Sequence, residues 1–261
     1  WQELVLEPGR SLRLDDVLDR QFDLDGKAAL VLAVSAGRIL ATSRTYNLLA
    51  AGNPLGLPGG STFGQHVPAL ARGEAIREGE QGRLIQLSNR TSATGGFRTN
   101  LGLVSATPEP IRVEVDLHAA DGTRLGGIPV DLPPYGYRQL DRVFNSGTAT
   151  EVADGYAIVR TPTASGAFFA YASVIDNLTG DPITVSATRL PEEEPAGTGE
   201  PVWVIGAAHL GGVGGTNWRT DLEVHAWGAR TATFAIDMLK HGEDNTNPQR
   251  KTYTVPAGTS R

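Results

Sequence analysis

Two stretches of this chain repeat one phrase, and that repetition limits the possible folds more than any other feature. "GFRTNLGLV" occupies 96–104 and "NWRTDLEVH" occupies 217–225. Both read as an aromatic, Arg-Thr, an amide or acid, Leu, and an alternating apolar tail. Phe97 and Trp218 lie 218 − 97 = 121 positions apart, and "RVEVDLHAADG" (112–122) returns at the same offset as "TFAIDMLKHGE" (233–243). "VLEPGRSLRLDDVL" (5–18) matches "DLPPYGYRQLDRVF" (131–144), with Asp15 and Asp141 separated by 126. "TVPAGTSR" (254–261) is a third copy of that element if Pro134 aligns with Pro256, and "LATSRTYN" (40–47) matches "AYASVIDN" (170–177) about 130 later. Matches that keep their order at near-constant offsets mark a repeat architecture.

The repeat predicts three domains: the back half of a β-sandwich unit at 1–75, a complete unit at 82–190 and a front half at 200–261. "ALARGEAIREGEQG" (69–82) and "LPEEEPAGTGEP" (190–201) lack a periodic apolar face and read as exposed connections. Within a unit the pattern alternates with period two. Phe97, Thr99, Leu101 and Leu103 fall on one face of one strand, and Ile111, Val113, Val115 and Leu117 on one face of the next, which ends in a turn at Asp121-Gly122. Gly 32 and Pro 16 out of 261 residues punctuate short segments throughout. The expected class is all-β, as tandem antiparallel immunoglobulin- or fibronectin-like sandwiches. Short helical turns are expected at 14–18 and 140–144, capped by Asp15 and Asp141.

The phrases "WRTDLEVH", "TVPAGTSR", "LPPYGYRQLDRVF" and "FAYASVIDN" resemble the tandem β-sandwich repeats of secreted and surface-displayed bacterial proteins. The resemblance covers nearly the whole chain. It implies an extracellular, multi-domain, non-catalytic setting and supplies no functional residues.

Composition narrows the chemistry. A net charge of -6 disfavours nucleic-acid partners, and no run of 18 apolar residues is present to span a membrane. No charged-then-apolar leader stands at Trp1, so a secretion signal is expected outside this chain. The absence of cysteine removes disulfides, thiolate metal sites and cysteine nucleophiles. His66, His118, His209, His225 and His241 show no metal spacing and read as strand-end or surface residues. "DLDG" (23–26) and "HGEDNTNPQ" (241–249) read as turns rather than calcium loops, because the closing acidic ligand is missing. No catalytic motif is present, and the candidate pair Asp15-Asp16 becomes Asp141-Arg142 in the next copy. The expectation is therefore no catalytic residues, no cofactor and no metal. Asn89 ("NRT") and Asn177 ("NLT") match the glycan-acceptor pattern. Trp218 is expected in a core. Trp227 stands where the other copy has Ala106, which marks it as an interface residue.

A half sandwich exposes its apolar face and an unpaired strand edge. The strands at "ELVLEPGRSLR" and "TYTVPAGTSR" are the same repeat element, one copy being surplus to two units. The expected assembly interface is Trp1, Leu4, Leu6, Tyr253, Val255 and Trp227. The partners are copies of the chain itself, head to tail, or further repeats of one polypeptide. The expected role is a structural subunit of an extracellular bacterial fibre, filament or surface layer. The alternative is a surface-displayed adhesive or carbohydrate-binding module that holds glycans in the long loop 47–64.

Overall fold

A computed structural model of the chain describes residues 4–148, 150–194, 200–212 and 215–261. It divides into two compact units, Trp1–Ile39 and Leu40–Arg261. The chain is all-β, with several antiparallel sheets.

Among its described residues the first unit has one regular element, α1 (Val17–Phe22). Leu4 and Leu6 lie outside any described strand, so the strand expected there does not form among the described residues. The physical reason lies in the sandwich described below: the equivalent strand is held by a hairpin partner, and an isolated strand leaves its N–H and C=O groups without a ladder.

The second unit opens with a hairpin, β1 (Thr42–Leu48) and β2 (Thr62–Pro68). Its strands extend into the loop expected at 47–64, leaving only 49–61 outside the ladder. There the Asn53 amide bonds the carbonyls of Ala50 and Leu57 at 3.0 and 2.7 Å. Ten strands follow: β3 (Ile76–Arg77), β4 (Glu80–Asn89), β5 (Phe97–Ser105), β6 (Ile111–Ala119), β7 (Arg124–Leu132), β8 (Tyr137–Leu140), β9 (Val152–Arg160), β10 (Ala167–Asp176), β11 (Pro182–Ser186) and β12 (Thr188–Pro191). They form two five-stranded sheets, β11-β10-β5-β8 with β3 alongside β10, and β12-β4-β9-β6-β7.

The two sheets share one core in a sandwich-like arrangement. Thr99, Leu101 and Leu103 of β5 are buried, as are Ile111, Val113, Val115 and Leu117 of β6, on the faces that their alternation predicts. Facing residues from β9 and β10, among them Val159, Phe168, Ala170 and Val174, complete the layer. The core begins earlier than expected. Ala75 and Ile76 are buried and Gln81 lies in β4, so the second half of "ALARGEAIREGEQG" belongs to the sandwich despite its charge. Gly102 is required in β5 because the Tyr171 ring lies across it: a Cβ there would stand 2.1 Å from the ring.

Val143 and Phe144, in a 3-10 turn over Val143–Ser146, plug one end of the core. The N-cap positions of this turn and of α1 are Arg142 and Asp16, one residue later than expected. Both have left-handed backbone, at φ 48 in each case, and neither makes a side-chain cap. The Arg142 N–H is bound by Asn100 Oδ1 at 2.9 Å, so tertiary contact replaces the carboxylate cap.

The remaining chain holds two short paired strands, β13 (Leu210–Gly211) and β14 (Asn217–Trp218), then a hairpin of β15 (Ala232–Met238) and β16 (Gln249–Val255). This hairpin matches β6–β7 in register. Ile111↔Leu132 through Leu117↔Gly126 become Ala232↔Val255 through Met238↔Gln249, with one strand shifted by 121 and the other by 123. A second pairing also recurs. Leu103↔Arg138 and Val104↔Tyr137 become Val224 with Arg261 and His225 with Ser260, and Ser105 N–H to Gly136 becomes Ala226 N–H to Thr259. The turn after β7 recurs as well: Gly136 N–H bonds Pro133 C=O at 2.8 Å, Thr259 bonds Pro256 at 3.2 Å, and Arg10 bonds Glu7 at 3.0 Å. Pro256 thus corresponds to Pro133, not to Pro134 as the sequence phrases suggested.

Candidate functional site

The most elaborate polar site of the described residues lies where the C-terminal segment covers the outer face of the β12-β4-β9-β6-β7 sheet. Alternation sends Arg83, Asp116, His118, Tyr156 and Arg160 to that face, opposite the core residues Leu84, Val115, Leu117, Ala157 and Val159. Tyr156 is the centre of the site. It is only 2% exposed, stacked on His118 at 4.8 Å and tilted against His225 at 4.3 Å, and it donates its hydroxyl to the Gly258 carbonyl at 2.8 Å. Ser260 N–H to Ala120 C=O at 2.7 Å ties the same segment to the β6–β7 turn. This joint is what covers the sheet face.

The protonation states follow from the hydrogen bonds. Arg83 has only donors, so its guanidinium donates to His225 Nε2 at 2.8 Å, and His225 Nδ1 carries the proton it shares with Ser260 Oγ at 3.1 Å. Burial, with Arg83 beside it, pushes His225 down to about 4. Burial likewise lowers His118, whose Nδ1 donates to the Gly122 carbonyl at 3.3 Å. Burial and the neighbouring Asp154 carboxylate raise Glu223 to about 7. Its Oε1 is buried without a hydrogen-bond partner. A serine, a histidine and an acid thus stand together at Ser260, His225 and Glu223. Yet an imidazole near 4 with an arginine on its second nitrogen makes a poor general base.

Beside the joint, an open cleft of about 640 Å³ is lined by Arg83, Arg160, Glu192–Glu194 and Trp227. Ions organise its walls. Asp116 accepts from Arg124 and Arg160, each at 2.6 Å, and Glu194 accepts from Arg230 and from the Ala229 N–H, both at 3.0 Å. The Arg230 contact holds the Glu194 carboxyl below the ordinary range. The Asp116 and Glu194 carboxylates are thus answered from within the chain.

The residues expected at an interface belong to both units. Trp1 lies outside the described residues. Leu4 and Leu6 are exposed in the first unit, Tyr253 is half-buried against Phe234, and Val255 is fully buried. Trp227 lines the cleft, and its carbonyl accepts from Arg83 at 3.2 Å. Trp218 is 62% exposed rather than in a core, as is its counterpart Phe97 at 44%, because this position opens the strand at the sandwich rim. The two glycan-acceptor asparagines are structural. Asn89 is buried with its Nδ2 on Asn145 and on Thr150, and Asn177 Nδ2 bonds the Ser92 carbonyl at 2.9 Å. "DLDG" forms the end of α1, with Asp23 N–H on Asp19 C=O, and Asn245 closes the 241–249 loop onto Lys240. Of the five histidines, alternation alone placed His118, but nothing local announced His225 or its stack on Tyr156.

No protein-family model, curated protein or solved structure matches this chain. Among the described residues no helix is long and apolar enough to cross a membrane, and no group of three His, Asp or Glu residues could hold a metal ion.

Proposed function

We propose that this chain is a structural repeat protein of an extracellular bacterial fibre or surface layer, built from immunoglobulin- or fibronectin-type sandwich units. The observation that carries the reading is the shared register of β6–β7 and β15–β16, reinforced by the recurring 224–226 to 259–261 pairing. Two hairpins with the same seven cross-strand pairs support one unit used again, with the front strands of a second unit already assembled. The exposed apolar residues fit the same reading. Val202, Trp203, Val204 and Ile205 open the front half at 200–261, and Val31, Leu32 and Val34 sit in the first unit, all on backbone without a ladder. Monomers seldom leave such runs uncovered unless another surface meets them. The extracellular bacterial setting rests on the resemblance of the repeat phrases.

Sedimentation velocity on the purified chain tests this. A mass above 27.6 kDa that climbs with concentration is the expected result. A monomer at every concentration would remove the assembly reading.

A further inference from the structure

Resting on that repeat reading, we infer that the open edge of β1 is completed by the Trp218–Val224 segment of a second copy of this chain. The complete sandwich is the template. There β5 has two neighbours, β8 on one edge and β10 on the other. In the C-terminal segment, Val224 and Ala226 reproduce the β8-side bonds with Arg261 and Thr259. Beyond Trp218, which pairs with Leu210, no described strand runs along the opposite edge, where a β10 equivalent belongs. The β10 equivalent is β1. It has β2 as its hairpin partner, as β10 has β11, and its other edge carries no strand among the described residues. Each edge lacks the neighbour that the other supplies, and an open edge takes up a strand through its own unpaired amides and carbonyls.

The side chains agree. Trp218 and Leu222 on one segment and Leu40, Tyr46 and Leu48 on and beside β1 are exposed, whereas Leu101, the counterpart of Leu222, is fully buried. The occupant has to come from another molecule, because the complete sandwich stands between these two edges within one chain. The β1–β2 hairpin lies on the outer face of the β11-β10 side, where Ser173 Oγ donates to Gln65 Oε1 at 2.9 Å. The Trp218–Val224 segment leads into the joint on the outer face of the other sheet, at Tyr156 and Arg83. A contact between different patches that does not close on itself propagates into a filament.

Since the full chain is free of cysteine, two single substitutions report the contact directly. Ser43→Cys and Asp221→Cys, both at exposed positions, stand at the counterparts of the paired Ser173 and Asn100. The two full-length variants are mixed and treated with a bismaleimide that tolerates a one-residue slip, a rise of about 3.3 Å. The expected result is a covalent dimer of the two variants, about tenfold more abundant than for Ser43→Cys mixed with Glu243→Cys, as a bound neighbour gives over random collision. Growth of mass without that dimer overturns this pairing and leaves the assembly reading standing. Constant monomer mass without cross-linking overturns both. A doubly substituted chain that cross-links only within itself overturns the second copy as occupant.

Discussion

At the residue scale, Glu223 and His225 sit two apart on one segment and respond to pH in opposite senses. Glu223, raised to about 7 from 4.5, holds its proton in the folded chain and loses it in the unfolded one. Its contribution is present below about 4.5 and fades as pH rises to 7. His225, lowered from 6.5 to about 4, stays neutral while the unfolded imidazole charges, so its contribution is present above 6.5 and fades as pH falls to 4. Between these limits the two offset each other. Glu223→Gln leaves the His225 dependence alone, and stability then rises from pH 4 to 6.5 by about 1 kcal/mol, both groups being partly solvated. His225→Gln leaves the reverse slope. Urea midpoints against pH for the wild type and both variants check this, and three parallel profiles would count against it. Sequence could not show this pair. Glu223 alternates with Leu222 and Val224 like any solvent-facing strand residue, and its burial comes from the distant β4 and β9.

At the element scale, what could be read in the sequence was what period two encodes. The inward faces of β5 and β6 appear where alternation puts them, since burial of one sheet face acts on every second residue. Charge misled at 69–82: Arg77 and Glu80 frame a tight turn, with Arg77 N–H on Glu80 Oε2 at 2.9 Å, and Ala75 and Ile76 just before it reach the core. The strand expected at 4–6 failed for want of a partner. The same contrast predicts where a protease cuts first. In dilute solution the stretches at 24–40 and 200–209, which hold no described strand, are expected to be cleaved and a fragment spanning about 70–194 to survive, as measured by mass spectrometry of timed digests. At high concentration both cut regions are expected to gain protection if copies cover them. Cleavage inside β4–β10 before either end would contradict this order.

At the scale of the whole molecule, the matching phrases proposed a repeat, but which residues correspond was not legible in them. The phrases paired Pro134 with Pro256, whereas the hydrogen-bonded turns pair Pro133 with it. Consecutive prolines offer two equal matches in letters, and only the N–H that closes the turn distinguishes them. With that correction the chain becomes its own alignment of three sequences for one turn. The left-handed position holds Gly9 at φ 72, Tyr135 at φ 50 and Gly258 at φ 69. Tyrosine is the dissenter, and its side chain is largely exposed. A side chain in that region of backbone space costs about 1 kcal/mol relative to glycine. The consensus of the molecule with itself therefore prescribes Tyr135→Gly. Thermal melting of that variant is expected to show an unchanged fold with a midpoint raised by a few degrees, the gain trimmed by glycine's greater freedom when unfolded. An unchanged or lower midpoint would mean that the tyrosine is held there by something other than the turn.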